Sequence, residues 1–90
     1  MLYTIYILRF SDNSLYIGQT NNLGNRLTDH LAKATRSARF ASQHGNFELV
    51  YKEKYGTRVE SMRREKQLKG WTRAKKEALI AGDKELLKKL

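Results

Sequence analysis

Residues 2–9, Leu-Tyr-Thr-Ile-Tyr-Ile-Leu-Arg, offer apolar or aromatic side chains to both faces of an extended chain. A strand with one wet face alternates apolar with polar; a β-branched and aromatic run without that alternation suits a central strand covered on both sides. The chain has 90 residues, which makes one domain, because two cores would bring each half close to the ~40 residues below which unstapled domains fail. Both covering layers must therefore come from the remaining sequence. Cysteine is absent, so there is no disulfide framework, thiolate zinc site or thiol nucleophile. The longest aliphatic and aromatic run, Ile5-Tyr6-Ile7-Leu8, is too short for a bilayer span or a signal-peptide core, and the expectation is a soluble cytoplasmic protein.

The rest of the chain supplies the layers. Ser11-Asp12-Asn13-Ser14 is a turn cluster, and Leu15-Tyr16-Ile17 resumes strand character until Gly18 ends it, so the first two strands form a hairpin. From Asn22 the period becomes helical, with Leu23, Leu27, Leu31 and Ala34 on one face and Asn21 or Asn22 as N-cap. Residues 35–46 carry no clear period, and Phe47, Leu49 and Tyr51 then alternate as a third strand. Thr57-Arg58-Val59-Glu60 fits a capping box, starting a second helix that stops near Gly70. A third helix starts at about Thr72 and ends at Gly82-Asp83, before a short terminal helix. The pattern is ββαβαα: an α/β fold with a small three-stranded antiparallel sheet flanked by helices.

Charge narrows the function classes. The formal net charge is +9; residues 1–45 hold five Lys/Arg and two acids, residues 46–90 thirteen and seven. A positive field of this kind points to a polyanionic partner, nucleic acid above all, or else to a solvated, lysine-rich helix surface. Within residues 61–76 the only acid is Glu65, among Arg63, Arg64, Lys66, Lys69, Arg73, Lys75 and Lys76. At about 100° per residue Glu65 lies midway between Met62 and Leu68, on the arc expected to face the core. A carboxylate there needs a cation, so Glu65 is either salt-bridged to a neighbouring Arg or a hard-metal ligand at the floor of a basic cleft. One carboxylate suffices for Mg²⁺ when phosphate oxygens and waters complete the shell.

Arg26 and His30, four apart on the first helix, border its leucine stripe. The arginine suits bidentate phosphate binding; the histidine suits packing or a proton relay. Tyr6 and Tyr16 stand ten apart on the two hairpin arms. They share a face only if the loop holds an odd number of residues or a bulge intervenes, and cross-strand packing is the plain alternative for both.

Taken in order, Thr4-Ile5-Tyr6, Tyr16-Ile17-Gly18, Asn22-Leu23-Gly24-Asn25-Arg26, His30 and Arg64-Glu65-Lys66-Gln67-Leu68-Lys69-Gly70-Trp71 resemble the GIY-YIG nuclease superfamily. The resemblance is best to its short stand-alone bacterial branch of predicted endonucleases, over about residues 3–81. It implies metal-dependent cleavage of nucleic-acid phosphodiesters by a nuclease-like domain over residues 1–82, with 83–90 as a helical tail. Tyr6 and Tyr16 match the two motif tyrosines, Arg26 the catalytic arginine, His30 the His or Tyr that supports the base, and Glu65 the metal ligand. The motif's first Gly is Thr4 here, Gln19 stands where some repair relatives have Lys, Phe40 stands where short relatives often carry Tyr, and the late Asn of homing and restriction relatives has no match.

The expected reaction is in-line hydrolysis that leaves a 3′-hydroxyl and a 5′-phosphate, with Mg²⁺ or in its place Mn²⁺ on Glu65, and with Tyr6, assisted by His30, as the base. A Tyr of ordinary pKa, ~10, needs nearby cations for that task. Arg63, Lys69, Arg73, Lys75 and Lys76 are the expected nucleic-acid-binding cations. The expected partner is DNA rather than RNA, selected by structure or single-strandedness, with the protein a monomer off the membrane. Two other readings stand beside this one: a non-catalytic nucleic-acid-binding module on the same fold, and an interaction protein whose basic helices dock an acidic partner.

Overall fold

A computed structural model describes residues 2–32 and 46–90, with the backbone alone for 28–32. Phe40 and the residues between the first helix and the third strand lie outside the described residues. Strand β1 (Tyr3–Phe10) and strand β2 (Leu15–Thr20) form the hairpin, followed by α1 (Leu23–Ala32), β3 (Phe47–Tyr55), α2 (Arg58–Lys69), α3 (Arg73–Ala81) and α4 (Lys84–Lys89). The sheet order is β2-β1-β3, all antiparallel. The doubly apolar β1 is thus the central strand, as its composition requires, and the fold is the expected three-stranded α/β arrangement.

The hairpin turn decides which side chains meet. Asn13 N–H donates to the Phe10 carbonyl (2.8 Å), Phe10 N–H donates to the Ser14 carbonyl (2.9 Å), and Asn13 sits at φ 72°. This is a three-residue hairpin loop closed by a left-handed residue, a conformation that Asn tolerates better than most side chains. Arg9 pairs with Leu15, so five residues, an odd number, lie between the paired ends. Tyr16 then faces Leu8, Gly18 faces Tyr6, and both tyrosines lie on one face of the sheet.

That face carries one core: Tyr6, Leu8 and Phe10, with Tyr16, Leu23, Leu27, Phe47 and Leu49 packed against them. The other face carries Ile5, Ile7, Ile17 and Leu68, with Tyr51, Tyr55, Trp71, Leu79 and Ile80 packed against them. Helix α1 therefore covers the tyrosine face, and α2 and α3 cover the isoleucine face. Burying Leu68 completely, at 0% exposure, contributes roughly 1.5–3 kcal/mol to docking α2.

Three expectations need correction. Gly18 does not end the second strand, which continues to Thr20; its pairing with Tyr6 gives it a place in the sheet interior. Strand three continues past Tyr51 to Tyr55, and its register shifts between Ile7 and Leu8. That bulge breaks the simple alternation, so Phe47 and Leu49 join the tyrosine-face core while Tyr51 packs on the isoleucine face. Met62 does not mark the inward arc of α2: it is 49% exposed, whereas Ser61 and Leu68 are buried. The inward stripe is Ser61, Arg64, Glu65 and Leu68, spaced i, i+3, i+4, i+7. The Ser61 hydroxyl is satisfied by donation to the Arg58 carbonyl, 2.8 Å.

The helix ends follow the predicted caps. Asn22 Oδ1 accepts from Asn25 N–H at 3.1 Å, Thr57 Oγ1 from Glu60 N–H at 3.2 Å, and Thr72 Oγ1 from Lys75 N–H at 3.3 Å, each satisfying an otherwise orphaned donor. Gly70 and Gly82 cap α2 and α3, Gly82 in the left-handed conformation. Among the described residues no helix is long and apolar enough to cross a membrane.

Candidate active site

Tyr6 is the centre of the site. Its residue is 1% exposed, and its ring lies over Gly18: a Cβ built at Gly18 would overlap the Tyr6 hydroxyl end. Only a residue without a side chain leaves this space. The Tyr6 and Tyr16 rings are 6.2 Å apart between centroids, and the two phenols share a hydrogen bond. Arg26, in the first turn of α1, and Glu65, on the inward stripe of α2, both act on the Tyr6 phenol through space. The fold thus brings together Tyr6, Tyr16, Arg26 and Glu65 from β1, β2, α1 and α2. His30 lies on α1, and its side chain is outside the described residues.

Electrostatics sets the protonation of Tyr6. Burial pushes the Tyr6 pKa well above the ordinary tyrosine value, and Tyr16 adds to this; Arg26 pulls it down without prevailing, and Glu65 raises it further. Without a metal ion nearby, the Tyr6 phenol therefore holds its proton near neutrality.

Among the described residues Glu65 has one ion-pair partner, Lys69, at 3.5 Å, with the two side chains 26% and 56% exposed. The sequence left an Arg partner open as the alternative to a metal, but Arg64 is engaged elsewhere. Its Nε donates to Glu53 at 2.8 Å, and Glu53 also accepts from the Tyr55 hydroxyl at 2.6 Å and from the Tyr51 hydroxyl. Burial alone would raise the Glu53 pKa; the hydrogen bonds from Arg64, Tyr51 and Tyr55 overcome it and hold the carboxyl below its usual range. Burial and then Glu53 push Tyr51 up to about 12. Sequence reading missed this network, for which the available signal was an acid between two tyrosines at strand spacing, Tyr51-Lys52-Glu53-Lys54-Tyr55.

No group of three or more His, Cys, Asp or Glu able to hold a metal occurs among the described residues. A cation at Glu65 would have to draw most of its ligands from phosphate and water, which is how Mg²⁺ is usually held. A part-exposed carboxylate whose only ion-pair partner among the described residues is an exposed Lys fits that requirement.

The expected nucleic-acid-binding cations differ in their commitments. Arg73 is spoken for by Glu77 (2.9 Å) and by the Asn13 carbonyl (2.6 Å). Lys75 lies over the Trp71 ring at 5.5 Å, and Lys69 faces Glu65. Arg63 is exposed and Lys76 half-buried, and among the described residues neither is in an ion pair. Beside the tyrosines, Arg26 opens into a polar cleft of about 320 Å³ lined by Tyr3, Gln19, Thr20, Asn21, Arg26 and Arg58.

Known proteins are similar to this chain. The chain is 39% identical over 75 residues to a UPF0213 protein of Bacillus pumilus, covering 83% of this chain and 74% of that one. It is 40% identical over 76 residues to a UPF0213 protein of Oceanobacillus iheyensis, covering 84% and 86%. The solution NMR structure of a UPF0213 protein from Bacillus halodurans superposes with a TM-score of 0.59 at 33% identity, covering 100% of this chain and 97% of that one. The family model of the GIY-YIG catalytic domain matches residues 2–78, a span that holds both tyrosines, Arg26 and Glu65, and the chain belongs to the GIY-YIG family of nuclease domains.

Proposed function

We propose that this protein is an endonuclease that hydrolyses phosphodiester bonds in DNA with Mg²⁺, or Mn²⁺ in its place, selecting its substrate by structure or single-strandedness. The observation that carries the reading is the convergence on one buried phenol of a second tyrosine, an arginine and a lone carboxylate from three other elements. A packing tyrosine needs no such company.

Glu65 is the residue that would hold the metal, which when bound supplies Lewis-acid stabilisation of charge on the phosphate and the leaving oxygen. Arg26 holds the scissile phosphate and stabilises charge that grows on it. Tyr6, keeping its proton, donates to Tyr16 and fixes that hydroxyl. The proton of the attacking water then passes to Tyr16 or to His30, and single Tyr16→Phe and His30→Gln variants separate them, the acceptor being the one whose loss abolishes cleavage. Arg63 and Lys76 contribute less specific attraction to the phosphate backbone.

The test is a cleavage panel over single-stranded, duplex, flap and junction DNA and RNA, with Mg²⁺ or Mn²⁺ and a Glu65→Ala control. Cleavage that requires both the ion and Glu65 is expected. Salt-sensitive binding that survives Glu65→Ala, with no cutting under either ion, would establish a non-catalytic binding module instead.

A further inference from the structure

The sequence offers no hint that Arg58 has a part in the site; it reads as the second residue of a capping box. In the fold Arg58 and Arg26, 32 positions apart, line the same cleft. Two guanidiniums in one cleft repel unless something answers their charge. Among the described residues neither is in an ion pair, and no acid is among the lining residues, which are otherwise neutral and polar. The acid nearest Arg58 in sequence, Glu60, lines a different crevice with Tyr55, Arg63, Arg64 and Gln67, and Asp29, three residues after Arg26, has its side chain outside the described residues. Helix α1, which supplies Arg26, has no acid in its first turn. By contrast Arg9, Arg64 and Arg73 each have a carboxylate partner. Among the described residues, Arg26 and Arg58 therefore form a cationic pair without a carboxylate partner.

We propose that Arg58 binds a phosphate next to the scissile one on the same nucleic-acid strand, so that the cleft grips two phosphates, one at Arg26 and one at Arg58. The spacing along α2 supports this. Arg58 and Glu65 are seven residues apart, about 10 Å along the axis, and close to the same helix face, so Arg58 stands off from the reacting position by a short stretch of backbone. Arginine suits the role because its planar fork meets phosphate bidentately. The proposal rests on the nuclease reading for which phosphate is scissile, but the contact itself is a binding property.

The experiment measures binding without divalent ions, so that no cutting occurs, of oligonucleotides in which single phosphates are replaced by uncharged methylphosphonates. With the unmodified strand, Arg58→Gln should lower the slope of log affinity against log salt by about 0.7–0.9, the yield of one phosphate contact. Arg58→Lys should restore the slope. Across the methylphosphonate series, Arg58→Gln should be blind to one position that weakens the wild type, and Arg26→Gln blind to its neighbour. Arg58 is exposed and its side chain has no role in the Thr57 cap, so an unchanged melting temperature is expected and checks that folding is not the cause. An unchanged salt slope, or no position at which Arg58→Gln and backbone neutralisation fail to add, overturns the proposal. A protein showing the Arg58 pattern but cutting nothing with Mg²⁺ or Mn²⁺ overturns the hydrolysis and keeps the contact. Glu65-dependent cutting without the Arg58 pattern does the reverse.

Discussion

Two neighbouring charged residues on the inward stripe of α2 are put to opposite uses. Arg64 turns toward β3 and meets Glu53, which two tyrosine hydroxyls also serve; Trp71 lies against its guanidinium at 5.1 Å. Every charge there has been answered inside the protein. Glu65, one residue on, acts through space on the Tyr6 phenol and among the described residues is paired with Lys69 alone; Arg26, which acts on the same phenol, is in no ion pair among the described residues. A matched network holds a fold together and has no capacity left for a ligand. An unmatched set costs stability until something outside completes it, which is the condition of a site. The difference separates structural from functional charge without appeal to composition, since both sides are equally basic in sequence.

Glu65→Gln should break the contrast most visibly. Cleavage should fall by at least about 1,000-fold, because several kcal/mol of transition-state stabilisation goes with a bound metal. The melting temperature should hardly move, since an exposed i,i+4 pair is worth only about 0.3–0.5 kcal/mol. If Glu65→Gln melts far below wild type, Glu65 belongs with Arg64 as a structural residue.

Glu53→Gln should do the opposite. Leaving Arg64 without its charge partner should cost about 3 kcal/mol, the low end for breaking a buried pair, readable in urea denaturation. Below the transition, per-molecule cleavage should be retained, because the network makes no contact with the tyrosine face. Gly18→Ala should fall between the two kinds of effect. The new methyl overlaps the Tyr6 hydroxyl end, so stability should drop by about 1–3 kcal/mol as in other overpacked cores, and cleavage should drop with it because Tyr6 is displaced. A Gly18→Ala protein with wild-type stability and activity would show that Tyr6 has no fixed place.

The smallest effect concerns Glu77, which sits outside both regions. Hydrogen bonding from Arg9, with further help from Arg73, holds its carboxyl down to about 2. A depressed carboxylate pKa contributes stability above the unfolded value of ~4.3 and loses it as pH falls through the folded value. Acid should therefore weaken the protein between about pH 4.3 and pH 2, and Glu77→Gln should flatten part of that slope, by less than about 1 kcal/mol given the solvent exposure of the cluster. An unaltered acid limb in pH-dependent melting would remove Glu77 from the account.

Much of this was legible before any coordinates. The caps at Asn22, Thr57 and Thr72 placed the helix starts because a hydroxyl or amide three residues before a free N–H is a local signal. The doubly apolar β1 set the sheet's centre for the same reason. What escaped was non-local. Gly18 reads as a strand breaker until Tyr6 is placed across from it, and the stretch Lys52-Glu53-Lys54 offers no apolar residue to extend the third strand past Tyr51 until Arg64 arrives to neutralise its acid. On α2 the wheel pointed Glu65 inward, but by the wrong landmark. Its inward stripe consists of Ser61, Arg64 and Glu65 with only Leu68 apolar, so hydrophobic periodicity had nothing to follow, and Met62 was mistaken for a member. Arg58 escaped because a cleft assembled from two distant arginines leaves no mark in either neighbourhood.

The hairpin turn at Asn13 carries a consequence for the order of events in folding. Tyr6 and Tyr16 are set against one another by a three-residue loop, a contact of short sequence separation that closes on the microsecond scale of an isolated hairpin. Glu65 reaches them only when β3 has paired with β1 and α2 has docked, contacts that must first meet a much larger loop-closure entropy. The tyrosine half of the site is thus assembled early and the carboxylate half late. Substitutions in the hairpin should slow folding, whereas those at Leu68 should mainly speed unfolding, and stopped-flow chevrons of a Tyr16 and a Leu68 variant would show whether the site is built in that sequence.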